Sequence, residues 1–231
     1  MFKKFFMLFK IGRKLSSSGA ISSIYEIYNP PIVIKILFFV IGFSLGDKKN
    51  DSNLSAGAKL CNALQEMGTT FIKLGQFLAT RPDIIGEDIS KELEKLQDKL
   101  PAFDLVVAKN ILKKELGKEN FEQITNISEP VAAASIAQVH FANINTSGQN
   151  KEVAIKILRP NIERIFNDEL NALIFLAYIV QNLIKKTKRL KLVEIVQLLR
   201  EITNVEMDLR FEAAAANELY ENTKNDLGFK V

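Results

Sequence analysis

Leu60, Leu64, Met67, Phe71, Leu74 and Leu78 recur at steps of four and three, the signature of one buried helix face. Thr69, Lys73, Gln76 and Thr80 form a polar line roughly opposite, which sets Lys73 and Gln76 three apart on one face. A third line, Gly68, Ile72, Gly75 and Ala79, is mostly small and lets another backbone approach closely. The spacing predicts one helix over 54–80, stopped ahead of Pro82, whose ring disfavours helix in the residue before it. Taken alone, the polar line reads as the solvated side of an ordinary core helix. A second helix is expected over 88–100, with Ile89, Leu93, Leu96 and Leu100 on one face, and a third from an Asp104 cap to a Gly117 stop.

Beyond residue 120 the period changes. Residues 121–128 read as a strand, 129–135 as a small-residue loop, 136–144 as a second strand, 145–150 as a hairpin turn and 151–158 as a third strand. Helical spacing returns over 162–186 and 192–220. The expected fold class is α+β, with three antiparallel strands, long helices after them and an all-helical extension ahead of them.

The N-terminus differs from both. Phe2, Phe5, Phe6, Met7, Leu8 and Phe9 are interleaved with lysines, which reads as a basic amphipathic helix on a membrane or as an apolar helix packed on the domain. The apolar run 32–45 is shorter than the roughly 20 residues a bilayer requires, so it reads as an interfacial or packed helix. Residues 47–53 are polar and turn-rich, a linker by composition. The expected units are therefore a membrane-associated segment at 1–50, a helical extension at 51–120 and a mixed domain at 121–231.

Composition narrows the classes. The 231 residues are 47% hydrophobic and 25% charged, enough for a real core. The net charge of +4 is modest and is placed mainly at Lys3, Lys4, Lys10, Arg13 and Lys14, which favours a membrane surface as partner over nucleic acid. No basic groove-binding helix, ribonucleoprotein pattern or zinc spacing is present. A single cysteine, Cys61, leaves no intrachain disulfide and fits a reducing compartment.

Candidate chemistry stands on the strands and the last helix. Alternation along Val153-Ala154-Ile155-Lys156 puts Val153, Ile155 and Ile157 on one face and Ala154, Lys156 and Leu158 on the other, so Lys156 needs a partner. In protein kinases this tetrapeptide carries the lysine that holds nucleotide phosphates and pairs with a helix glutamate. The loop that would cover those phosphates contains Ala132, Ala133, Ala134 and Ser135 where kinases carry glycines, so it is expected to be stiffer and to seat a nucleotide differently. His140 has no second histidine or cysteine pair nearby and is assigned a structural hydrogen-bonding role. On the last helix Asp208 and Glu212 share a face, and Glu206 lies about 200 degrees round from Asp208; a surface ion pair between Glu206 and Arg210 is the plain alternative.

Together these motifs resemble the UbiB/ADCK (ABC1) family of atypical kinase-like proteins. The Lys-x-Gly-Gln motif stands at Lys73, Gly75 and Gln76, the alanine-rich loop at Ala132 to Ser135 and the Glu-x-Asp motif at Glu206 and Asp208. The resemblance implies a kinase-like N-lobe at 121–231, with Ala154, Lys156 and Glu212 binding nucleotide beside the alanine loop. It also implies that Lys73, Gly75 and Gln76 reach across the pocket as a regulatory lid, with Lys73 pairing to Glu206 and Asp208. ATP or ADP with Mg2+ is the implied cofactor, and ubiquinone (coenzyme Q) biosynthesis the implied role. The implied place is the cytoplasmic face of a bacterial inner membrane, or the mitochondrial inner membrane in a eukaryote. The His-x-Asp loop and Asp-Phe-Gly segment of kinases do not occur in the 231 residues. No catalytic residue or metal ligand is therefore assigned, and Mg2+ ligands are expected from a C-lobe outside this sequence. The expected partners are a membrane surface, other ubiquinone-biosynthesis proteins or a separate chain carrying that lobe. The alternative is a non-catalytic membrane-associated scaffold or a truncated, inactive fragment.

Overall fold

A computed structural model describes residues 2–17, 21, 25, 31–32, 35–36, 39, 54–97, 100–146, 148–226 and 228. The linker expected at 47–53, and most of the apolar run at 32–45, lie outside the described residues. Helix α1 spans Phe2–Ser17, followed by α2 (Ala56–Met67), α3 (Thr69–Ala79), α4 (Pro82–Ile85), α5 (Glu87–Leu93) and α6 (Leu105–Glu122). Strands β1 (Ile124–Thr125), β2 (Pro130–Ala133), β3 (Ala137–Thr146) and β4 (Gln149–Leu158) come next. Helix α7 (Ile162–Leu183), a 3-10 turn (Lys185–Leu190), α8 (Leu192–Met207) and α9 (Leu209–Thr223) complete the fold, which is α+β as expected.

The helix expected over 54–80 is two helices. Gly68 adopts φ 95 between them, a conformation open to glycine and strained for other residues. The break leaves the apolar stripe intact: Leu64, Met67 and Phe71 enter one core with Leu93 and Leu96. Gly75 is buried in the same region, and a Cβ there would collide with Cδ1 of Leu96. Helix α6 starts at the expected Asp104 cap, whose carboxylate accepts from Val106 N at 2.6 Å. It does not end at Gly117: that residue kinks the chain at φ 78 and the helix resumes to Glu122. Residues 121–122 are thus helical, and strand begins only at Ile124.

The sheet is antiparallel with β3 at its centre. Both β1 and β2 pair with one edge of β3 and β4 pairs with the other, so β1 and β2 act as one strand interrupted near Asn126, where φ is 52. Ile155 and Ile157 on one face of β4 pack on Ala108 and Leu112 of α6. Ile136 and Ala137, at the start of β3, join Phe166 and Leu170 of α7, Leu199 and Met207 of α8, and Leu74 and Phe77 of α3.

Helix α1 has a buried inner face. Leu8, Ile11 and Leu15 are buried in the core formed with α2, α3, α5 and α7, so its inner face is packed on the domain. Phe6 is 70% exposed on the outer side. Lys14 also donates to the carbonyl of Met67, next to the Gly68 break. Glu169 on α7 lies among these groups: burial pushes its carboxyl up from the ordinary 4.5, while the Thr70 hydroxyl, Lys14 and Lys10 draw it back. A carboxyl raised in the folded state is held protonated more tightly there, so its contribution to stability falls as pH climbs from the unfolded value through the folded one. Glu169→Gln is therefore expected to be more stable than wild type at neutral pH, with the difference vanishing below the ordinary value of 4.5. Urea melts at stepped pH check this; an equal or lower neutral-pH midpoint for the variant contradicts it.

Candidate functional site

Lys156 projects from the face of β4 opposite Ile155 and Ile157, and its ammonium meets the Glu212 carboxylate of α9 at 2.6 Å. A break in the last helix makes this meeting possible. Asp208 leaves helical geometry at φ -86 and ψ 87, its side chain caps the Arg210 N–H, and α9 restarts with Glu212 in its first turn. The expected continuous helix over 192–220 is thus divided, because Asp208 offers a better cap than an interior helix position. Most of α9 is exposed, and none of its residues is buried.

The same break separates the two carboxylates of the Glu-x-Asp motif. Glu206 takes Lys73 of α3 at 2.9 Å, and the lysine side chain is only 15% exposed. Asp208 is gripped by Arg210, with Nε to Oδ1 at 2.7 Å and Nη2 to Oδ2 at 2.6 Å. That hydrogen bonding to Arg210 holds the Asp208 carboxyl below its usual range. Arg210 therefore serves Asp208, not Glu206. Gln76 donates to the Leu96 carbonyl at 3.5 Å, so the two polar residues of the motif point to different elements.

The alanine segment is more ordered than a loop. Ala132 pairs with Val139 and Ala133 with Gln138 as part of β2, correcting the loop expected over 129–135. Alanine lacks glycine's ready access to positive φ, and the open edge of β3 supplies hydrogen-bond partners for an extended backbone. Only a short turn remains, closed by Ala134 N donating to Ala137 O at 2.8 Å. Ser135 within it is fully buried.

Sequence reasoning passed over the residues that hold this turn. Thr69, at the head of the polar line, donates to Ser135 O at 3.0 Å. Arg159 donates from Nε and Nη2 to Ala134 O at 3.0 and 2.7 Å. Gln138 has a role that is visible only in space. Its Oε1 accepts from Phe103 N at 2.8 Å, and its Nε2 donates to Phe103 O at 3.0 Å. His140, with no exposed surface, contacts Gln138 Nε2 at 2.9 Å and Ser128 O at 2.7 Å through its two ring nitrogens. Nδ1–H donating to Ser128 O leaves Nε2 as acceptor for the glutamine amide, so one tautomer satisfies both bonds.

The basic turn after α7 was also missed, although it is written plainly as Lys185, Lys186, Lys188, Arg189 and Lys191. Lys188, Arg189 and Lys191 are exposed. A cleft of about 440 Å³ opens between the start of α7 and the end of α8, lined by Glu163, Asn167, Asn204, Met207, Asp208 and Arg210. It takes in Asp208 but neither Lys156 nor the alanine turn. Among the described residues no group of three or more His, Cys, Asp or Glu side chains could hold a metal ion. These residues do not fit a Mg2+ site by themselves.

The ABC1 atypical kinase-like domain matches residues 95–231. The chain belongs to that family. Within the ABC1 match fall the sheet, Lys156, Glu206, Asp208 and Glu212, whereas Lys73 and Gln76 precede it. The probable protein kinase UbiB of Marinobacter nauticus is 36% identical over 196 residues, which is 84% of this chain and 35% of that protein. The protein of the same name from Pseudomonas fluorescens is 39% identical over 170 residues, covering 73% of this chain and 31% of its own length. The chain thus spans about a third of the length of these curated relatives. No solved structure matches it.

Proposed function

We propose that this ABC1-family chain carries the nucleotide-binding part of a UbiB-type protein that supports ubiquinone biosynthesis. The observation that carries the reading is the Lys156–Glu212 pair at 2.6 Å, which joins β4 to α9 at the level of Val139, the β3 residue that also pairs with Ala132. A kinase-like site needs a lysine held toward the phosphates by a helix carboxylate, and both side chains remain partly exposed, at 37% and 59%. Lys156 would hold the phosphates of ATP or ADP, Glu212 would orient Lys156, and Ala154 with the alanine turn would line the site. Lys73, Gly75 and Gln76 would act as the lid, tied down through Glu206. Metal-binding carboxylates stand on the C-terminal lobe of kinase-like folds, so a Mg2+ site and any phosphate transfer depend on groups outside the described residues.

The test is titration of the 231-residue chain with a fluorescent ADP analogue, beside an ATP hydrolysis assay. Weak binding is expected for wild type, with loss in Lys156→Met and no turnover in either. Robust hydrolysis by this chain would contradict the assignment of the metal carboxylates to another lobe. A scaffold reading is favoured by the Lys73–Glu206 pair, which ties α3 to α8 directly. On that reading Lys73→Ala lowers the thermal midpoint and leaves nucleotide affinity unchanged; on the lid reading it changes affinity as well.

The proposed site of action is a membrane surface. Phe6, Phe9, Ile32, Ile36 and Phe39 are exposed apolar residues of the N-terminal region, and Arg13 stands 6.0 Å over the Phe9 ring. Among the described residues no helix is long and apolar enough to cross a membrane. An interfacial contact, with aromatic side chains at the headgroup level, accommodates both observations.

A further inference from the structure

The carbonyls of the alanine turn are all taken by donors from the same chain. Ala134 O accepts two bonds from the Arg159 guanidinium, Ser135 O accepts from Thr69, and Ile136 O accepts from the Arg159 main-chain N–H at 2.9 Å. The guanidinium reaches further still. Its Nη1 donates to Pro101 O at 2.9 Å and its Nη2 to Leu100 O at 3.3 Å, while its carbon lies 5.9 Å from the Phe103 ring centre. Leu100, Pro101 and Phe103 form the connector between α5 and α6. One planar cation at the end of β4 thus binds the turn and the helical extension together. Thr69 does the same from the head of α3, four residues ahead of Lys73.

We propose that Arg159 and Thr69 are positioning residues that make the alanine turn a joint, so that the placement of the helical extension sets the placement of the nucleotide loop. This goes beyond the lid reading, in which only Lys73 and Gln76 reach the pocket, and its functional consequence rests on the nucleotide reading given above. Arginine suits the task because its fixed fork can serve several carbonyls at once, whereas a lysine ammonium is a flexible point charge. A movement of α3 or of the α5–α6 connector pulls on Ala134 and Ser135 directly, with no flexible segment between. Tight carbonyl anchoring also explains how a glycine-free turn holds one pose.

The experiment is site-resolved amide exchange on the 231-residue chain and its Arg159→Lys and Thr69→Val variants, with affinity for the ADP analogue measured on the same samples. The reporter is the Ala134 amide, bonded to Ala137 O; the control is the Ser128 amide, bonded to Phe141 O on β3. Each variant is expected to speed exchange at Ala134 by about tenfold or more while Ser128 keeps its rate, the pattern of local opening. The affinity should shift in both variants, even though Arg159→Lys keeps the positive charge. Unchanged exchange at Ala134 overturns the joint, and so does an equal rise at Ser128, which would mark a general loss of stability. Unaltered affinity in both variants overturns the coupling to the nucleotide loop. Absence of any nucleotide binding by wild type would instead sink the nucleotide reading, while the exchange rates still decide whether the joint exists.

Discussion

Gln138→Leu is expected to lower the stability of the chain by about 3–5 kcal/mol, although the substitution nearly conserves volume and adds apolar surface. Gln138 is only 1% exposed and uses its amide as a piece of backbone would, accepting from Phe103 N and donating to Phe103 O. Its second amide hydrogen serves His140 Nε2. Leucine leaves three polar groups without these partners, and each stranded buried group costs about 1–3 kcal/mol. Phe103 is half-buried, so water relieves part of that loss and the sum falls short of the maximum. Helix α6 begins just after Phe103 and covers Ile155 and Ile157, so the damage reaches the packed side of the strand that carries Lys156. The measurement is the urea midpoint at constant m-value. A loss below about 1 kcal/mol would show that the network contributes no more than a single neutral hydrogen bond.

The contrast between Gln138 and Lys156 indicates which parts of this protein can be read from its sequence. Alternation alone placed Lys156 opposite Ile155 and Ile157, and the structure keeps that division. Pairing of Lys156 with Glu212 followed from resemblance to kinases, since no local period connects residues so far apart. The apolar stripe through Leu64, Met67 and Phe71 was legible, but the Gly68 break within it was not, because both helices bury the same side and the spacing runs through. The break at Asp208 was hidden in the same way: Val196, Leu199, Thr203 and Met207 keep helical spacing right up to the cap. Arg159, Thr69 and Gln138 were beyond reach for another reason. Most of their partners are main-chain groups, which every residue has, so the sequence carries little complementary side-chain pattern to mark the contacts. The alanine segment misled by analogy with glycine loops, whereas its actual pairing follows from what alanine's backbone disfavours.

Neutralising Lys188, Arg189 and Lys191 to glutamine is expected to weaken binding to anionic vesicles by about two orders of magnitude, on the membrane-surface reading proposed for this chain. A cation close to an anionic bilayer contributes about 1 kcal/mol, and these three side chains are exposed on the turn between α7 and α8. Lys185 and Lys186 add to the same run, and no carboxylate occurs in the sequence between Glu169 and Glu194 to offset it. Flanking apolar surface is present as well, with Tyr178 60% and Leu183 52% exposed. The electrostatic part is screened within about 10 Å at 0.1 M salt and more closely at 1 M, so the difference between variant and wild type should shrink as salt rises. Phe6→Ser with Phe9→Ser should behave otherwise, reducing binding to neutral and anionic vesicles alike and with little salt dependence, because it removes apolar contact and leaves the charge in place. Co-sedimentation with phosphatidylcholine vesicles, with and without phosphatidylglycerol, separates the two contributions. If the triple variant sediments with anionic vesicles as well as wild type does, the basic turn is a solvated connector, and the N-terminal aromatic residues must account for any membrane contact.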